Sequence, residues 1–177
     1  PLWYTFVVVP PLPFWGEMLS VAAALVWAVA VILFRKAGDS TPPVALNFFK
    51  NLVAVALLVP TVLLAGQPLL PQRPVADYAL LAGSALLGIS FADSLFFAAL
   101  KRLGAGLVAV VDTLYSPAVI VLAALLLGER AGPGVLAGGA LVVGAVIVGA
   151  ADRPPPGRTR RDIAAGVFFG ALAMVLM

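Results

Sequence analysis

An all-α integral membrane fold, with five spanning helices and the start of a sixth, follows from three observations on the 177-residue sequence. Its residues are 63% hydrophobic and only 11% charged, less than half the charged share of about 25% typical of soluble domains. Five apolar stretches are long enough to cross a bilayer, which takes about 20 residues of helix. Proline, glycine and charge gather in the breaks between them.

The chain opens on "PLWYTFVVVPPLPFWG" (residues 1–16), which has no charge and three prolines after its first residue. It lacks the basic start of a signal peptide and is too proline-rich for a spanning helix. We read it as a truncated or mis-started leader at the membrane interface, with Met18 as the candidate natural start. The first span is expected over residues 17–36 and the second over 44–65, the latter opened by "STPP" and closed by Gly66. Residues 76–100 and 105–127 form the third and fourth, divided by "KRLG", and residues 134–151 the fifth. A basic linker, "DRPPPGRTRRD" (152–162), leads to residues 163–177, which begin a sixth span and stop short of a full crossing. The expected domains are therefore a five-helix unit over 17–151 and the start of a second unit.

The residue types absent from the chain narrow its chemistry. With no Cys and no His there is no disulfide, no thiol or imidazole chemistry and no ordinary zinc site, so no metal and no cofactor is expected. The excess of Lys and Arg sits at helix ends rather than in a patch, which argues for membrane topology and against a nucleic-acid partner. The breaks after spans one, three and five hold Arg35, Lys36, Lys101, Arg102, Arg153, Arg158, Arg160 and Arg161, eight residues against two, Arg73 and Arg130, on the other side. By the positive-inside rule the eight face the cytoplasm and the amino terminus lies outside.

Two packing features stand out. The fifth span carries small residues at four-residue spacing, Gly134 with Gly138, Ala140 with Gly144 and Ala145 with Gly149, a pattern that lets helix backbones approach closely. Packing within one bundle is the expectation. Pro60 and Pro117 lie inside spans two and four, and each frees the carbonyl four residues earlier, so a kink is expected at both.

Three charged side chains lie well inside the spans: Lys50, Asp93 and Asp112. An aspartate at mid-membrane costs roughly 2.5 to 3.5 kcal/mol, so partners or a task must offset it. All three fall roughly 9 to 11 Å below the basic side at 1.5 Å per residue. Each has polar companions at helical spacing: Asn47 and Asn51 with Lys50, Ser90 and Ser94 with Asp93, Tyr115 and Ser116 with Asp112. Three antiparallel neighbours would thus turn polar faces to one level and form a substrate or ion pathway. The competing reading is an ion-pair knot that only fixes packing. One Lys and two Asp leave one negative charge over, which a proton or a cationic substrate would balance.

The stretch "AALKRLGAGLVAVVDTLYSPAVIVLAALLLGERAGPGVLAGGALVVGAVIVGA" resembles the EamA-like unit of the drug/metabolite transporter superfamily. The likeness lies in Pro117 within the fourth helix, Gly128 and Glu129 closing it, and Gly138, Gly139 and Gly144 in the fifth. The resemblance implies a five-helix unit duplicated in inverted orientation to give ten helices around a cavity. It also implies export of metabolites or drugs, and a partner in the missing second half or in an antiparallel copy of this chain. Ten-helix relatives of that kind keep the amino terminus in the cytoplasm, the reverse of the charge count here.

The sequence thus points to a multi-pass secondary transporter of small molecules in the plasma (inner) membrane of a bacterium, surrounded by lipid and working by alternating access, with proton coupling left open. A non-transporting membrane scaffold is the alternative. An intramembrane aspartic protease fits less well, because its two aspartates share one proton and a lysine at their level would keep a carboxylate ionised.

Overall fold

The computed structural model describes residues 14–151 and 157–177. Most of the apolar leader (residues 1–13) and Arg153 of the linker lie outside the described residues. The chain divides into two compact units, residues 1–33 and 34–177.

Within the described part of the first unit, nearly everything belongs to one helix, α1 (Trp15–Ala37), whose last four residues fall in the second unit. It is apolar around most of its circumference, with Val21, Leu25, Val26, Val29 and Leu33 all exposed, as suits a helix facing lipid. Its basic last turn, Arg35 and Lys36, complements the negative end of the helix dipole.

The second unit continues with α2 (Pro43–Leu64), then a long third span built from α3 (Val75–Ser84), a π-helix (Ala85–Ala92) and α4 (Asp93–Leu103). A fourth span follows as α5 (Ala105–Asp112) and α6 (Tyr115–Leu127), then α7 (Pro133–Ala151) and α8 (Arg160–Leu176). Five of these stretches are long and apolar enough to cross a membrane: Trp15–Ala37, Pro43–Leu64, Val75–Leu103, Ala105–Leu127 and Pro133–Ala151. The protein is all-α and multi-pass, with a further helix after the fifth span.

Glycine sets two of the breaks. Gly104 takes φ +81° between α4 and α5, and Gly128 takes φ +67° at the end of α6, a backbone region costly for other residues. At Gly128 the N–H reaches back to the Ala123 carbonyl, five residues earlier, and the Glu129 N–H turns to the same carbonyl at 3.3 Å, closing the helix end. The two prolines behave differently. The helix α2 runs unbroken through Pro60. In the fourth span the α-helix stops instead at Thr113 and Leu114, whose N–H groups turn to carbonyls three residues back, and Pro117 stands in the first turn of α6, where a missing N–H costs little.

The core lies where α4, α5 and α8 meet. Phe96, Phe97, Ala99, Leu100 and Leu103 of α4 are buried with Val108 and Val111 of α5 and Ile163, Ala173 and Met174 of α8. Two α8 glycines make the contact close. A Cβ on Gly166 would lie 2.6 Å from Leu103 Cγ, and one on Gly170 would lie 2.6 Å from Val111 Cγ1. In the small-residue stripe of α7, a Cβ built on Gly134, Gly138 or Gly144 has no neighbour within 4 Å, and one on Gly149 meets Leu107 and Val110. The α7 helix meets α5 through Gly149, while α4 packs against α8.

Candidate functional site

The site begins with the departure of the third span from α-helical geometry. At the end of the π-helix the Asp93 N–H bonds to the Gly88 carbonyl, five residues back. The Ile89 carbonyl, four residues back, thereby loses the donor an α-helix would give it. Inside a bilayer a carbonyl in that state is costly unless another donor arrives.

Asn47 of α2 is that donor. It is 4% exposed, and its side-chain amide donates to the Ile89 carbonyl at 2.7 Å, to the Ser90 carbonyl at 3.2 Å and to Ser94 Oγ at 3.1 Å. Ser94 Oγ in turn donates to the Ser90 carbonyl at 2.6 Å, and the Asn51 amide donates to Asn47 Oδ1 at 2.9 Å. A side chain inserted into the backbone ladder is one of the recognised causes of such local distortions.

One helical turn along the same face of α2, Lys50 forms an ion pair with Asp93. The Lys and Asp side chains are 27% and 16% exposed, and the ammonium also stands 5.8 Å from the centre of the Phe97 ring. Phe97 is held edge-on by Phe34 and Phe96, at 5.1 and 5.6 Å between ring centres. The charge of Asp93 is thus matched within the chain. It also faces open space, a cavity of about 410 Å³ beside the π-helix, lined by Leu81, Ser84, Ala85, Gly88 and Ile89 of the third span and by Met177. Asp93 is the one ionisable side chain on that wall. A larger cavity of about 530 Å³ lies elsewhere, between α7 and α8.

The residues expected on the fourth span do not join this group. Asp112 is half-buried and takes part in no ion pair or hydrogen bond among the described residues. Thr113 Oγ1 turns back to the Val110 carbonyl at 2.6 Å, and Tyr115 and Ser116 are exposed. Of the expected cluster, Lys50 and Asp93 are paired directly, and Asp112 makes no direct polar contact with either among the described residues. The α2 helix packs against α4, and α5 packs against α8, α7 and α4.

Basic residues from three breaks do meet at one end of the second unit. Arg35 pairs with Asp39, and Arg158 donates to the Arg102 carbonyl. Burial, and then the nearby charge of Arg35, push the Arg158 guanidinium below its ordinary range. Arg102 donates to the Ala98 carbonyl at 3.0 Å and lies 4.8 Å over the Phe169 ring. At the start of α8 the Thr159 side chain accepts from the Asp162 N–H while Asp162 accepts from the Thr159 N–H, a capping box. Those hydrogen bonds from Thr159 hold the Asp162 carboxyl below the usual carboxylate range.

Two structural determinants were missed in the sequence: the π-helix and the Gly166/Gly170 contact. "GVFFG" carries the same four-residue spacing as the stripe singled out in α7, so a signal for the contact was present. No comparable signal marks the π-helix, since its cause is an amide from another helix.

Comparison with known families supplies the remaining link. The model of the EamA-like transporter family matches residues 14–150, which takes in the whole polar site and nearly all of the five spans. No curated protein and no solved structure matches the chain. A match over most of its length, on a chain whose five apolar spans have the composition of a membrane protein, establishes that the chain belongs to the EamA-like transporter family.

Proposed function

We propose that the protein is a secondary transporter of small solutes, metabolites or drugs, working by alternating access, and that the Lys50–Asp93 pair is its polar site. The observation that carries this reading is an intramembrane ion pair whose carboxylate also forms the one ionisable group on the wall of a solute-sized cavity. Intramembrane charged residues of this kind mark substrate and ion pathways. Asn47, Asn51, Ser90 and Ser94 hold the backbone beside the pair, so a solute entering the cavity meets a pre-oriented carboxylate, with no buried side-chain nitrogen or oxygen left unpaired among the described residues. Asp112, Tyr115 and Ser116 stand along the fourth span as a second polar surface on the same route.

A second five-helix half, or an antiparallel copy, completes the cavity walls in this reading, as inverted-repeat transporters require. The basic end faces the cytoplasm, and the plasma membrane of a bacterium is the proposed location. The Lys50 partner of Asp93 argues against a proton-sharing aspartate dyad, and hence against a protease. Flux is the test. Reconstituted with its complementary half in sealed vesicles, the protein should carry a small solute across the bilayer, and Asp93→Asn should abolish that flux while leaving the protein in the membrane. Undiminished flux in Asp93→Asn would remove the pair from the pathway, and no flux of any solute would favour a scaffold.

A further inference from the structure

The cavity between α7 and α8 is the larger of the two, at about 530 Å³, and it has no place in the transport reading. Its walls are apolar for their whole length: Ile147 and Ala150 from α7 face Ala164, Val167 and Phe168 from α8. Arg160 alone is charged, and it stands at the end of the groove where the basic residues gather. From Arg160 to Phe168 the helix rises about 12 Å, so a guanidinium sits at the rim and hydrocarbon runs inward below it.

The neighbouring groups leave that guanidinium uncommitted. Arg158 is engaged with the Arg102 carbonyl, and Arg102 with the Ala98 carbonyl and the Phe169 ring. Asp162, the nearest acid along the chain, has its carboxylate turned back onto Thr159. Arg160 forms no ion pair or hydrogen bond among the described residues. A cation at the membrane surface without a partner among the described residues, at the mouth of an apolar groove that points into the bilayer, is complementary to one kind of molecule. It has a negative head at interfacial depth and a hydrocarbon tail below.

We propose that the α7–α8 groove binds an anionic phospholipid, with an acyl chain against Ala150, Ala164 and Val167 and its phosphate on Arg160. Planar guanidinium donors suit phosphate oxygens, and basic residues at this depth favour anionic lipid by an amount equivalent to roughly fivefold in affinity per side chain. The site is separate from the Lys50–Asp93 pair and would leave its chemistry untouched.

The experiment places a reporter in the groove. The Phe168→Trp protein, compared with its parent to subtract the three native tryptophans, is reconstituted in vesicles with brominated phosphatidylglycerol or brominated phosphatidylcholine, whose acyl bromines quench indole fluorescence on contact. Brominated phosphatidylglycerol should quench at lower mole fraction, with a relative association constant roughly fivefold higher. Arg160→Gln in the same background should remove that preference, Arg160→Lys should keep most of it, and Arg161→Gln should keep it all. The preference should persist in excess inorganic phosphate. Equal quenching by the two lipids, or an Arg160→Gln protein that still discriminates, would overturn the proposal. So would loss of the preference in phosphate, which would mark a free-anion site, and absence of quenching by either lipid, which would mean that protein fills the groove.

Discussion

The Asn47 side-chain amide stands 2.7 Å from the Ile89 carbonyl, the backbone oxygen that the π-helix leaves without its α-helical donor. One residue on α2 therefore sustains an irregular backbone on the third span, and it does so three positions before the lysine that pairs with Asp93. The irregularity and the charge pair belong to a single contact between two helices.

Removing that amide has a defined consequence. Asn47→Leu keeps the side chain close in volume and deletes the amide contacts to Ile89, Ser90 and Ser94 on the third span. The cost should be about 1 to 3 kcal/mol, read as a lower midpoint in reversible unfolding from detergent or mixed micelles. Asn47→Gln, which retains an amide, should recover part of the loss. If Asn47→Leu is as stable as the parent, the Ile89 carbonyl has another donor.

The ion pair should reveal itself by non-additivity. Lys50→Met or Asp93→Leu alone strands a charge in low dielectric and should destabilise by roughly 3 kcal/mol. The double substitution removes both charges and should cost clearly less than the sum of the two. Stability and flux should then separate, since the double variant folds and does not transport. Additive singles would mean that the two groups do not interact.

Close packing by Gly166 and Gly170 predicts a ranking among glycine-to-alanine changes. Gly170→Ala drives a methyl into Val111, a buried β-branched residue with little rotamer freedom, and should cost about 1 to 3 kcal/mol. Gly166→Ala meets mainly the more adaptable Leu103 and should cost less. Gly138→Ala meets nothing within 4 Å and should be neutral or stabilising by up to about 1 kcal/mol. Val111→Ala should relieve Gly170→Ala, and failure of that rescue would place the strain elsewhere.

Acid should loosen the start of α8. The Asp162 carboxyl titrates lower in the folded protein than in the unfolded chain, so its contribution is complete above the ordinary aspartate value and is lost as pH falls through the folded value. Amide hydrogen exchange at Thr159 and Asp162, corrected for intrinsic rates, should show protection fading in that acid range. Asp162→Asn should flatten the dependence. A pH-independent protection factor would count against the capping box as its source.

Sidedness can be read directly. A reporter inserted beside Arg158 should report the cytoplasm if the eight-to-two bias of Lys and Arg governs insertion. An external signal would reverse the orientation proposed here.

What the sequence disclosed follows from how local each feature is. An apolar run of about 20 residues is a one-dimensional signal, so the five spans and the further helix were legible. Lys50 and Asp93 could be matched because depth along a helix is also counted along the chain. Asp112 was placed with them for the same reason, but depth does not say which side chains touch, and Asp112 makes no direct polar contact among the described residues. The two glycine stripes illustrate the same limit. "GPGVLAGG" and "GVFFG" carry equal spacing, and only the approach of α8 to Leu103 and Val111 decides which one is used. The π-helix was hidden altogether, since "ALLGISFA" contains no residue that demands it and its stabilising donor lies about forty positions earlier, as the 42-residue separation of Asn47 and Ile89 records.

The interlocking of Gly166 with Leu103 and of Gly170 with Val111 bears on where such a protein is able to flex. Shapes keyed together at this distance cannot slide or roll without first separating, so α8 must travel as cargo with α4 and α5. If access to the cavity alternates by one bundle rocking against another, the shear plane does not run between α8 and the third and fourth spans. It lies on the far side of α8, or along the loosely packed faces of α7.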